Sequence, residues 1–196
     1  MASGMERSTS NDDNRAQKAL TNPRQLQATL NVIPAYTWYA SSSGGLTFVN
    51  KRTADYLGLP KDHPLRLGID IDGPWDAHLP FLHPDDHEET RKVWSTCPRT
   101  GEASEVTFRI RNAQGGYRWF LSRAEPLRAS DGTLLLWVGV SLDIEELKRV
   151  QASIAEAGRE LRQMIDAIPI PVASYGADAR RDFVNAAWKS ASAARR

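Results

Sequence analysis

The spacing of apolar and polar residues changes several times along this chain, and each change marks an element. Leu26, Leu30 and Ile33 share one helical face and predict a short helix over residues 23–32. Ile33-Pro34 ends it, because the residue before a proline avoids the helical region. Tyr36-Thr37-Trp38-Tyr39 and Leu46-Thr47-Phe48-Val49 read as short strands around the turn Ser41–Gly45. Asn50 caps a helix to about Leu57, and Gly58 stops it. Residues 60–74 read as loop or irregular short helices, and 75–82 as one or two helical turns. Pro84 starts a helix with Asp85 and Asp86 in its first turn; it runs to about Ser95 and is closed by Pro98.

Beyond residue 104 the period becomes two. Val106, Phe108 and Ile110 alternate with Thr107, Arg109 and Arg111. The turns Asn112–Gly116 and Ser130-Asp131-Gly132 separate strands over 117–127 and 134–142. Two short strands, helices and three adjacent antiparallel strands predict a five-stranded α+β domain. Residues 143–168 then turn helical. Leu147, Val150, Ile154, Ala157, Leu161, Met164 and Ile168 fall at alternating steps of three and four, an a/d heptad pattern. A seam of this kind needs a partner, and a parallel homodimer is the expected one, with the domain's own sheet as the alternative near Leu147.

The pattern also repeats. At an offset of 135 residues, Leu26 falls on Leu161, Ile33-Pro34 on Ile168-Pro169, and Phe48-Val49-Asn50 on Phe183-Val184-Asn185. So long a period is that of a whole small domain. The second copy has too few residues to bury a core. The expected organisation is a mobile Ser/Asn/Asp-rich tail (1–20), a complete domain (21–143), a linker helix (144–168) and the opening of a truncated second domain (169–196).

Composition narrows the function classes. The formal net charge is +1, with 25 basic and 24 acidic residues, so no nucleic-acid footprint is expected. The run Leu134–Val140 is far shorter than the roughly 20 apolar residues of a membrane span. One cysteine, Cys97, excludes an internal disulfide and fits a reducing, cytoplasmic setting. No nucleophile elbow, phosphate loop or other catalytic constellation is present, so no enzymatic activity is expected from these residues.

Six motifs in order then carry a resemblance: Phe48-Val49-Asn50, His83-Pro84-Asp85-Asp86, Phe108–Arg111, Gly116–Trp119, Asp131-Gly132 and Gly139–Ile144. Over residues 26–147 the chain resembles a PAS domain of the His-Pro-Asp-Asp type. Glu145 departs from that family's Asp-Ile-Thr junction, standing where the threonine would be. The resemblance implies a five-stranded antiparallel sheet with helices on one face, followed by a coiled-coil-like helix. It implies a sensory or interaction module, usually within a bacterial histidine kinase or a cyclic-dinucleotide enzyme. Such modules bind a small ligand between sheet and helices, or dimerise, and pass a signal along the exit helix to a downstream domain. A ligand-free docking module, and a fragment of an enzyme whose catalytic domain lies elsewhere, are the alternatives.

Against that background, Trp38, Tyr56, Trp75, Trp119 and Phe120 are candidate cavity residues, with ordinary core as the competing reading. His63 and His78 are the candidate haem ligands. His83 reads as a structural helix start and His87 as a solvated first-turn residue. Flavin photochemistry is not expected, since the Asn-Cys-Arg-Phe-Leu-Gln motif of that subtype is absent and Cys97 sits beside Pro98 just after a helix. The acidic group Asp62, Asp70, Asp72 and Asp76 lacks the spacing of a calcium loop and reads as a solvated loop.

Overall fold

The computed structural model describes residues 23–69 and 73–193. The predicted tail, and Asp70 and Asp72, lie outside the described residues. Contacts divide the chain into two units, one closing at Glu145 and the other opening at Glu146.

The first unit runs α1 (Pro23–Val32), β1 (Tyr36–Ser41), β2 (Leu46–Val49), α2 (Lys51–Leu57), α3 (Pro64–Leu67), α4 (His87–Thr100), β3 (Ser104–Arg111), β4 (Tyr117–Arg128) and β5 (Leu134–Asp143). Two 3₁₀ turns, Leu79–Phe81 and Pro84–Asp86, precede α4. The five strands form one antiparallel sheet in the order β2-β1-β5-β4-β3. This is the predicted α+β architecture. The strand order places β5, last in sequence, at the centre of the sheet. Its Trp137 is fully buried there.

Alternation sorts the sheet into two faces. Tyr36, Trp38, Ala40, Phe108, Phe120 and Ala124 face α2, α3 and α4. Tyr39, Phe48, Leu136 and Val138 face the other way, where Leu26 and Leu30 of α1 cover them. So α2–α4 gather on one face as expected, and α1 packs on the opposite one. The narrow apolar stripe of α1 suffices for that role.

Asn50 anchors the start of the domain. It is fully buried. Its Oδ1 accepts from the Thr37 and Thr53 amides, and its Nδ2 donates to the Leu30 and Ala35 carbonyls. One side chain thereby ties α1, β1 and α2 together.

The structure extends α4 beyond its predicted end. The helix continues through Pro98 to Thr100 and closes on left-handed Gly101, whose N–H donates to the Cys97 carbonyl over 2.8 Å. Proline removes only the bond to the Trp94 carbonyl, and the last turn tolerates that loss. Cys97 therefore lies inside the helix, buried against Ala124 and Trp137, rather than after it.

The helix α5 (Glu145–Asp166) leads into the second unit, followed by β6 (Ala173–Tyr175), β7 (Arg181–Val184) and α6 (Ala186–Ala193). The β6–β7 register reproduces that of β1–β2, including the bulge. Asn185 repeats the Asn50 network: it accepts from the Val172 and Trp188 amides and donates to the Ile165 and Ile170 carbonyls. The heptad residues Leu147, Val150, Ile154, Leu161 and Met164 of α5 are exposed, as is Ala157.

Candidate functional site: a cavity between sheet and helices

A cavity of about 100 Å³ lies between the inner sheet face and the helices. Its wall is mostly aromatic and aliphatic, and among the described residues no Asp, Glu, Lys or Arg lines it. Aromatic rings brace one another around it. Phe120 meets Tyr36 and Tyr56 edge-on, at 5.1 and 5.3 Å between centroids, and Trp38 meets Trp94 at 5.4 Å. Such edge-to-face contacts hold rings in one orientation and keep the space between them open.

Polar groups in the wall are largely paired with one another. Ser122 and Ser141 share a hydrogen bond of 3.0 Å across β4 and β5. The Tyr56 hydroxyl donates to the Ile110 carbonyl, and burial pushes its phenol up to about 12, so it stays protonated. His78 contacts the Trp75 carbonyl through Nδ1 over 3.1 Å. A carbonyl only accepts, so Nδ1 carries the proton and Nε2 of the neutral ring is an acceptor. Burial outweighs that hydrogen bond and pushes the imidazole down to about 4. Thr90 is the exception. Its Oγ1 is buried and has no partner among the described residues.

Of the candidate residues, Trp38, Tyr56, Phe120 and His78 line the cavity. Trp75 and Trp119 do not. Trp75 packs beside the cluster of Trp94, Cys97 and Trp137. Trp119 points to the opposite sheet face, where the Arg109 guanidinium stacks 4.9 Å from its ring. His63 caps α3 by accepting from the Leu65 amide and lies outside the cavity wall. Thr90 was not singled out by sequence. Its signal was spacing: it precedes Trp94 and Cys97 by four and seven positions, on the buried stripe of α4.

The His-Pro-Asp-Asp segment performs the structural role expected of it. His83 Nδ1 accepts from the Asp85 amide, and its ring meets Tyr117 edge-on. Asp86 accepts from the backbone, Nε and Nη2 of Arg109, fastening the start of α4 to β3. Burial raises the Asp86 carboxyl, but its bonds to Arg109 outweigh this and hold it below the ordinary carboxylate value. His87 is half-buried rather than solvated, its Nε2 3.2 Å from the Leu82 carbonyl. Among the described residues, no three His, Cys, Asp or Glu side chains converge on a metal site, and no helix is long and apolar enough to cross a membrane.

One strand of the cavity wall also holds the last residues of the first unit. Phe120 lines the cavity, and its neighbour Trp119 donates its amide to the Glu145 carboxylate over 3.0 Å. The Ile144 amide donates to the Trp119 carbonyl, and Arg118 pairs with Asp143 at 2.8 Å. Strand β4 thus carries both a cavity wall and the contacts that hold Asp143, Ile144 and Glu145.

Residues 47–141 match a family model described as PAS fold. This part of the chain belongs to the PAS family. An uncharacterized protein, y4lL, of Sinorhizobium fredii is 34% identical over 155 residues, covering 79% of this chain and 18% of that protein. The peroxide stress-activated histidine kinase mak1 of Schizosaccharomyces pombe is 27% identical over 172 residues, covering 84% of this chain and 10% of the kinase. The chain thus spans less than a fifth of the length of these two relatives. Among solved structures, an RNA-binding light-oxygen-voltage receptor superposes with a TM-score of 0.51 at 18% identity, over 75% of this chain and 39% of that one. That likeness shows the fold. The chain carries a PAS sensory domain related to those of histidine kinases.

Proposed function

We propose that this chain is a ligand-responsive signalling segment of a larger two-component sensor. Its PAS domain takes a small molecule into the sheet–helix cavity and relays occupancy through α5. The observation that carries this reading is the double role of β4. Phe120 touches the cavity, while Arg118 and Trp119 hold Asp143, Ile144 and Glu145 at the root of the helix. A shift of Phe120 on ligand entry loads the contacts that hold Asp143, Ile144 and Glu145.

The exposed a/d residues of α5 supply the output surface. A second copy lying parallel would bury Leu147, Val150, Ile154, Ala157, Leu161 and Met164. A change of register along that seam passes the signal on. The β6–β7 hairpin and α6, with the repeated Asn185 network, are the opening of a second PAS module that receives it. A reducing, cytoplasmic setting suits the lone thiol of Cys97.

A cavity-filling variant tests the relay. In Ala124→Phe the added ring occupies the cavity from the β4 side. Amide exchange across Glu145–Asp166 and the self-association constant are compared with those of wild type, in a variant that still melts cooperatively. The relay requires both to change. A filled cavity with unchanged exchange in α5 would favour a ligand-free docking module.

A further inference from the structure

Threonines on α4 fall into two classes. The Thr96 hydroxyl donates to the Lys92 carbonyl, and that of Thr100 to the Thr96 carbonyl, each over 3.1 Å. This is the usual way a helix absorbs such a group. Thr90, on the same helix, makes no such bond, although it is only 2% exposed and lines the cavity. A buried hydroxyl left unpaired is costly, so its persistence points to a partner other than the described residues, and its place in the cavity wall points to a bound guest. The His78 ring packs edge-on to Trp94, one helical turn beyond Thr90; His78 lines the same cavity, and with Nδ1 on the Trp75 carbonyl its Nε2 is left as an acceptor.

The rest of the wall restricts what that partner is. Among the described residues no charged side chain lines the cavity, and none of them would pair with an ionised ligand in this apolar wall. A cavity of about 150 Å³ with a similar apolar wall takes up benzene. At about 100 Å³ the present one suits a single ring, with small side-chain adjustments. The wall rings Trp38, Trp94 and Phe120 offer edges and faces suited to a flat guest.

We propose that the ligand class is an uncharged, single-ring aromatic bearing one hydroxyl group. Thr90 Oγ1 donates to that group, which in turn donates to His78 Nε2. This rests on the sensor reading above and adds to it the polar anchor and the chemistry of the guest.

The test is thermal unfolding of the full chain at pH 7 with four single-ring probes: phenol, benzene, benzoate and benzylamine. Phenol raises the melting temperature, benzene raises it less, and the two ions do not. Thr90→Val exchanges the hydroxyl for a methyl of the same size and relieves an unpaired polar atom, so it folds. It weakens phenol binding roughly fivefold to tenfold and leaves benzene binding unchanged, as loss of one net hydrogen bond requires. His78→Phe gives an independent second variant with the same selective loss. Equal phenol binding by wild type and Thr90→Val overturns the anchor. Stabilisation by benzoate or benzylamine matching that by phenol overturns the uncharged class. If no probe binds but the purified chain releases a charged or multi-ring compound, the class fails and the sensor reading stands. If no probe binds and nothing is released, both fail.

Discussion

The Trp38 indole lies where a side chain on Gly139 would begin. The two residues face each other across β1 and β5, and a Cβ built on Gly139 would collide with the six-membered ring of Trp38. Trp38 lines the cavity, so the missing side chain at 139 decides how far the indole stands from the space it borders. Gly139→Ala should push the indole inward, destabilise the domain by about 1–3 kcal/mol as overpacking does, and abolish uptake of any cavity ligand. Chemical denaturation and the tryptophan emission maximum report the two effects together.

Asn50 and Asn185 stand 135 residues apart and satisfy equivalent backbone groups in their respective units. Replacing Asn50 with alanine strands several buried amides and carbonyls at once. A loss of about 3 kcal/mol or more in the first unit is expected, at roughly 1–3 kcal/mol for each unpaired group. Asn185→Ala should leave that unit's unfolding midpoint unchanged and speed amide exchange at Val172 and Trp188. Site-resolved hydrogen exchange separates the two outcomes.

His78 should impose a pH dependence on stability. Its folded-state value, about 4, lies below the ordinary 6.5, so the unfolded chain binds the proton more readily. The stabilising contribution is complete above pH 6.5 and is lost as pH falls from 6.5 towards 4. The full span is on the order of 3 kcal/mol. His78→Gln removes the titrating group. Subtracting its denaturation free energies from those of wild type at each pH should show the difference narrowing across that window. A difference independent of pH would mean that the ring is not held neutral by burial.

The α5 seam should drive self-association. Ile154 and Leu161 are 67% and 58% exposed in the single chain, more than a helix of this length leaves uncovered without a partner. Ile154→Asp or Leu161→Asp should raise the dimer dissociation constant at least tenfold in sedimentation equilibrium. Gln163, an exposed c position off the seam, should tolerate alanine without effect.

Much of the fold was legible because two periods dominate the chain. Alternation at Val106-Phe108-Ile110 announced a half-buried strand, and Asn50 with Gly58 bracketed a helix. Pro98 misled because a proline's cost depends on its position in a helix, and the last turn, closed by Gly101, absorbs it. The aromatics divided in a way alternation could only half anticipate. Trp119 and Phe120 had to face opposite sides, but which side carried the helices depended on long-range packing. Thr90 was invisible for a related reason. A threonine among apolar positions looks like a tolerated core residue until its hydroxyl is seen to have no partner.

The most direct test of the account is to purify the full chain from cells without refolding and identify the small molecules released on denaturation, by mass spectrometry, beside the Ala124→Phe variant. The account predicts one compound near stoichiometric amount from wild type and its absence from the filled variant. Identical, empty spectra from two folded proteins would contradict it, and would leave α5 and its seam as the working part of the chain.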